Sequence, residues 1–101
     1  MDAFPPPPGR KKKKEADYEA LRSPLSRIPG LPIAAARDLI DLGFWNVDEL
    51  QGRSPETLFD DLRKLKPKAP DDRLGALRLA VYYAETPDPD PQRLQVWQWL
   101  D

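Results

Sequence analysis

Apolar residues recur along most of this chain at three- and four-residue spacing, and proline, glycine and short polar caps separate the runs. Ile33, Ala36, Leu39 and Ile40 form one such stripe, which predicts an amphipathic helix from about residue 33, closed by a left-handed cap at Gly43. Ahead of it, Ser23-Pro24 reads as an N-cap followed by proline in the first turn, where a missing N–H costs nothing. Leu25 and Ile28 are the apolar pair of that short helix, and Pro29-Gly30 ends it. Asn46 is placed to cap another short helix over residues 47–51, which stops at Gly52.

Ser54-Pro55 repeats the cap-and-proline start before a stripe of Leu58, Phe59, Leu62 and Leu65. Lys64, Lys66 and Lys68 gather at its C-terminal end, favourable for the helix dipole, and Pro67 and Pro70 mark the break. Asp71 or Asp72 then opens the longest helix, with Leu74, Leu77, Val81 and Ala84 on one face and Leu79, Tyr82 and Tyr83 broadening it. Pro87, Pro89 and Pro91 make a stiff connector, and Asp90-Pro91 starts a last helix carrying Leu94, Trp97 and Leu100. A short helix near Glu15 would put Tyr18 and Leu21 on one face.

No segment alternates with period two over a useful length, so the expected fold is all-α: a compact array of five or six short helices. The expected core holds Leu25, Ile28, Ala36, Leu39, Ile40, Phe44, Leu50, Leu58, Leu62, Leu77, Val81 and Trp97. Trp97 and Trp99 stand two apart and cannot share a helix face. Trp97 fits the Leu94–Leu100 stripe, which leaves Trp99, with Trp45, either partly buried against a neighbouring helix or as a surface that could anchor a partner or stack on a base.

Composition narrows the chemistry. The 101 residues contain no cysteine and no histidine, so thiolate and imidazole nucleophiles, bases and metal ligands are excluded. The adjacent acidic pairs Asp60-Asp61 and Asp71-Asp72 diverge on a helix and make poor two-carboxylate sites. Neither an enzymatic activity, a cofactor, a metal nor a small-molecule substrate is expected. The segment 74–84 is too short to span a bilayer and contains Arg78, and no apolar stretch succeeds the N-terminal basic residues as in a signal peptide. The expected protein is cytoplasmic, with no membrane partner.

The net charge of −1 hides an asymmetry. Residues 1–14 carry Arg10, Lys11, Lys12, Lys13 and Lys14 against Asp2, or +4, while residues 15–101 carry −5. The four prolines at 5–8 and the basic run after them cannot bury a core, so residues 1–14 are expected to be a disordered tail and residues 15–101 a single helical domain. The tail could track phosphates, or simply be solvated.

One motif carries functional information. Ile28-Pro29-Gly30-Leu31-Pro32-Ile33-Ala34-Ala35-Ala36 resembles a helix-hairpin-helix motif: Gly30, Leu31 and Ala36 are in register, and Leu39, Gly43, Val47 and Leu50 fit the positions usual downstream of the hairpin. The run from 23 to 101, with LGFWNVDELQGRSPETLFDDL, AVYYAETPDPDPQ and a VWQWLD ending, is similar to the small bacterial pathogenicity-locus family of helix-hairpin-helix proteins, sometimes labelled mitomycin-resistance proteins. The resemblance implies a SAM-like, helix-hairpin-helix architecture.

In such a hairpin, backbone amides and the N-terminus of the second helix offer donors to a nucleic-acid phosphate, without reading sequence. Gly30, Leu31, Ile33 and Ala34 would supply that contact, helped by Arg27, Arg37 and the tail cations. This chain has Pro32 where the family's second glycine would stand, which removes one N–H. Two readings therefore stay open: non-sequence-specific DNA binding through backbone phosphates, and a protein-interaction module in which the hairpin only joins two helices.

Overall fold

The computed structural model describes residues 13–100, with side chains from Tyr18 onward. Four α-helices carry the fold: α1 (Lys13–Arg22), α2 (Ile33–Asp41), α3 (Pro55–Leu65) and α4 (Arg73–Glu85). Single 3-10 turns occupy Pro24–Arg27, Val47–Leu50, Pro91–Arg93 and Val96–Trp99, and no strand occurs among the described residues. The architecture is all-helical. Three of the short helices expected from the pattern, at 25–28, 47–51 and the C-terminus, are 3-10 turns instead. Each lies between proline, glycine or extended residues that leave too few positions for an α-helical ladder. Of the expected tail, residues 1–12 lie outside the described residues, while Lys13 and Lys14 are the first two residues of α1.

Helix α4 is the centre. Gly75, Ala76, Leu77, Leu79, Ala80 and Val81 are all buried, so it is covered nearly all round instead of on one stripe. Helix α3, α2, the 47–50 turn and the 96–99 turn pack against it, and α1 packs on α2. Buried Leu25, Ile28, Leu39, Leu50, Leu58 and Leu77 join one continuous core, and Leu62 is also fully buried. Ile40 and Phe44 are half-buried at its edge.

Local chemistry sets the ends of the helices. Ser54 Oγ accepts from the Thr57 amide at 3.3 Å, ahead of Pro55 in the first turn of α3. Helix α2 ends as a Schellman cap: the Gly43 amide donates to Ile40 O at 2.9 Å and the Phe44 amide to Leu39 O at 2.9 Å. Gly43 has φ 102°, as its cap position requires. Glu49 holds the entry to the 47–50 turn, its Oε1 accepting from the amides of Asn46 at 2.6 Å and Trp45 at 2.9 Å. Those two backbone bonds draw the Glu49 carboxyl below its ordinary pKa, and the charge of Arg53 adds to the effect. Asp72 precedes α4 without a side-chain capping bond, and Asp71 pairs with Arg63.

Two expectations from the periodicity are corrected. Trp97 is 64% exposed and lies outside the core. The segment is a 3-10 turn, where residues three apart share a face, so Val96 and Trp99 point inward while Trp97 points out. Leu65 is exposed because α3 ends there, past its last buried contact at Leu62. Tyr18 and Leu21 share the outer side of α1, which buries Ala20 instead. No helix among the described residues is long and apolar enough to cross a membrane.

Candidate nucleic-acid interface

The hairpin segment is built on a tight turn. Ile28 O accepts from the Leu31 amide at 3.2 Å, with Pro29 and Gly30 at the two central positions and Gly30 at φ 79°. Proline followed by a positive-φ residue is the signature of a type II turn. Buried Leu25 and Ile28 anchor its near side. Pro32 then serves as N-cap of α2, not as its first helical residue: its backbone is extended, and its carbonyl accepts from Ala35 at 2.9 Å and Ala36 at 3.2 Å. The amides of Ile33 and Ala34 lead the helix, ahead of its internal hydrogen-bond ladder.

The glycine of this turn is already occupied on one side. A Cβ built at Gly30 would lie 1.8 Å from the carbonyl oxygen of Leu94 and 2.8 Å from its carbonyl carbon. The C-terminal segment therefore crosses the turn at backbone-to-backbone distance. Its far end lies on α4 in the same manner, since a Cβ at Gly75 would meet Leu100 Cδ2 at 2.8 Å and the carbonyl oxygens of Val96 and Trp99 at 3.2 and 3.3 Å. Arg78 Nη1 donates to Trp99 O at 2.8 Å, and the Asp90 amide donates to Tyr82 Oη at 2.9 Å. Close approach at Gly30 thus serves the protein's own C-terminal segment.

The cations expected beside the hairpin separate. Arg27 ends the 24–27 turn and is exposed. Arg37 is half-buried, engaged within the fold, and lines a cleft with Asp38, Lys66, Lys68, Ala69, Pro70 and Arg73, about 250 Å³ in volume. Asp38 is the residue the pattern did not single out. It is 3% exposed and binds Lys66 Nζ at 2.6 Å and Arg73 Nη1 at 2.5 Å, while Lys66 also meets Asp41 at 2.6 Å. One carboxylate on α2 therefore ties together the end of α3 and the start of α4. Burial is the largest single influence on the Lys66 ammonium and favours its neutral form. The hydrogen bonds and charges of Asp38 and Asp41 together outweigh it, so the pKa is raised above the ordinary lysine value. The sequence signal for Asp38 was its place three residues after Ala35 and one before Leu39, on the flank of the apolar stripe.

A protein-family model described as pathogenicity locus matches residues 19–101. The chain belongs to the pathogenicity-locus family. No curated protein and no solved structure matches it. The part of this pathogenicity-locus protein that matches includes the turn, the cleft and the C-terminal segment. It begins after Arg10, Lys11, Lys12, Lys13 and Lys14, so those cations stand outside the matched region.

The tryptophans divide differently from the expected surface pair. Trp45 is exposed. Trp99 is half-buried, its ring centroid 5.2 Å from that of Tyr82, with Arg93 over its face at 5.6 Å and its Nε1 donating to Arg93 O at 2.7 Å. Trp99 therefore holds the C-terminal segment in place, and Trp97 is the exposed indole of that segment in this pathogenicity-locus protein.

Proposed function

We propose that this protein is a non-enzymatic accessory factor that binds DNA through backbone phosphates without reading base sequence, using residues 25–43 as a helix-hairpin-helix unit. The observation that carries this is the type II turn delivering the leading amides of Ile33 and Ala34, with exposed Arg27 just ahead of the turn. A helix N-terminus with unladdered amides favours an anionic oxygen. Leu94 takes the near side of Gly30, which leaves the α2 amides and the cations as the contact. Arg10, Lys11, Lys12, Lys13 and Lys14 extend the same non-specific grip along the duplex.

Titration of a labelled duplex at two salt concentrations tests this, with the full chain and with a variant carrying glutamine at those five tail positions. The full chain is expected to show a log–log salt slope of roughly −4 or steeper. The variant should bind more weakly with a shallower slope, and Arg27→Ala should weaken it again. No binding of the full chain at low salt overturns the proposal. Binding lost entirely with the tail cations assigns the activity to the tail and removes the hairpin from it.

A second reading, a protein-interaction module, is favoured by one observation: the C-terminal segment covers the turn while leaving Trp97 64% exposed. An exposed indole at the rim of a folded segment is a common interface anchor. Trp97→Ala would abolish capture of such a partner while leaving duplex binding intact.

A further inference from the structure

The charge of residues 15–101 is acidic overall, yet the cleft between α2 and the α3–α4 loop is lined by four cations, Arg37, Lys66, Lys68 and Arg73. Against them the cleft lining holds one carboxylate, Asp38, whose charge is spent on Lys66 and Arg73, with Asp41 holding Lys66 from α2. We propose that this cleft is a binding site for a single phosphate group, separate from the hairpin amides.

Size and organisation both fit that ligand. A volume of about 250 Å³ falls below the ~300–1,000 Å³ of drug-sized pockets and suits one small anion. The site is built before any ligand arrives. Asp38 fixes the Lys66 and Arg73 side chains from beneath, and both keep further donors: an ammonium has three and a guanidinium five. The raised pKa of Lys66 keeps it charged throughout the neutral range.

Lys68 supplies the mobile charge on a stiff support. Pro67 and Pro70 bracket it, the Ala69 amide donates to Lys66 O at 3.0 Å, and Arg63 Nη2 donates to Ala69 O at 2.9 Å. Among the described residues Lys68 makes no ion pair, so its charge is available to an incoming anion. A planar arginine fork beside point-charge ammonium groups is the donor set that phosphate oxygens take. Asp71 does not compete, because it is held by Arg63, and Asp72 stands exposed at the start of α4.

Two sources could deliver this phosphate: a DNA backbone, which would deepen the proposed function, or free phosphate. The test is an NMR amide titration of the full chain with sodium phosphate, with sodium chloride at matched ionic strength, and with a short duplex. Phosphate is expected to shift the amides of Lys66, Lys68, Ala69, Arg73 and Arg37 where chloride does not. Lys68→Ala should weaken phosphate binding about threefold to tenfold with an unchanged melting temperature, since Lys68 is exposed. If the duplex produces the same shifts, the source is the DNA backbone, and Lys68→Ala should reduce the salt slope by about 1. If only free phosphate shifts the cleft, the site stands with free phosphate as its source, and the DNA backbone is excluded from the cleft but not from the hairpin amides. If phosphate and chloride behave alike, or Lys68→Ala and Arg37→Ala bind phosphate like the parent, the inference is overturned.

Discussion

Gly30 is where a single hydrogen atom decides the architecture. Its φ of 79° is one objection to any side chain there, and the 1.8 Å that would separate an added Cβ from the Leu94 carbonyl oxygen is a second. Gly43 shares the positive φ, at 102°, but has nothing within 4 Å of such a Cβ. Gly43→Ala should therefore cost about 1–2 kcal/mol from backbone conformation alone. Gly30→Ala should cost about 3 kcal/mol or more, because a rigid carbonyl must also move. Urea denaturation of the two variants measures the difference, and equal losses would show that Leu94 does not approach the turn. Asp38 is decisive in another way. Asp38→Asn leaves the part-buried Arg73 without its carboxylate and Lys66 with Asp41 alone, and the expected loss is about 3 kcal/mol. Asp41→Asn, at the exposed edge of the same group, should cost less than about 1 kcal/mol.

At the level of elements, helix type settles which side chains are in the core. Trp97→Ala should change stability by less than about 0.5 kcal/mol. Trp99→Ala, which removes the stack on Tyr82 and the bond to Arg93, should cost about 2 kcal/mol or more. Thermal melts of the pair separate the two assignments. The same segment shows what the sequence could and could not reveal. Proline and glycine punctuation located nearly every element boundary, and Ser54-Pro55, Gly43 and Asn46 behave as their residue types demand. The spacing of Leu94, Trp97 and Leu100, however, assumed one helix, whereas only Val96–Trp99 is helical there, as a single 3-10 turn that aligns Trp99 with Val96 and leaves Trp97 outside. The central role of α4 was only partly visible, as an apolar face broadened by Leu79, Tyr82 and Tyr83. Gly75 is a poor helix former whose place is explained only by the segment lying on it.

The pH response also belongs to elements. Glu49 has its pKa lowered in the fold, so its cap on the 47–50 turn is present above the unfolded carboxylate value of about 4.3 and is lost as pH falls through the lower folded value. Lys66 has its pKa raised, so its contribution is complete below the ordinary lysine value of about 10.4 and is lost as pH rises through the higher folded value. Between those limits neither group should make stability vary. Following the Trp45 and Asn46 amides by NMR from pH 6 to pH 2 checks the first. The second is checked by melting temperatures above pH 10, where Lys66→Met should remove part of the alkaline drop.

For the whole molecule, charge is clustered and not evenly spread. The basic tail, the α2 amides with Arg27, and the cleft around Lys68 are three separate positive features on a chain of net charge −1. The basic run at residues 10–14 and the turn at residues 28–31 are legible in the sequence because each is contiguous. The cleft is not, since Arg37 on α2 and Lys68 on the α3–α4 loop meet only where Asp38 pairs with Lys66 and Arg73. If all three act together, combining the tail substitutions with Lys68→Ala should reduce the salt dependence of duplex binding by roughly the sum of the separate effects. Titrations at several salt concentrations would reveal any departure from that sum.

The contact between Gly30 and Leu94 joins positions sixty-four residues apart in the chain. Closing so long a loop is entropically unfavourable until the parts between have ordered. On a ribosome, α1 through α4 can therefore assemble before residues 94–100 emerge, but the turn stays uncovered until they do. The amides that lead α2 belong to an earlier stage of synthesis than their cover, so a nascent chain is expected to pass through a state more open at Gly30 than the folded one.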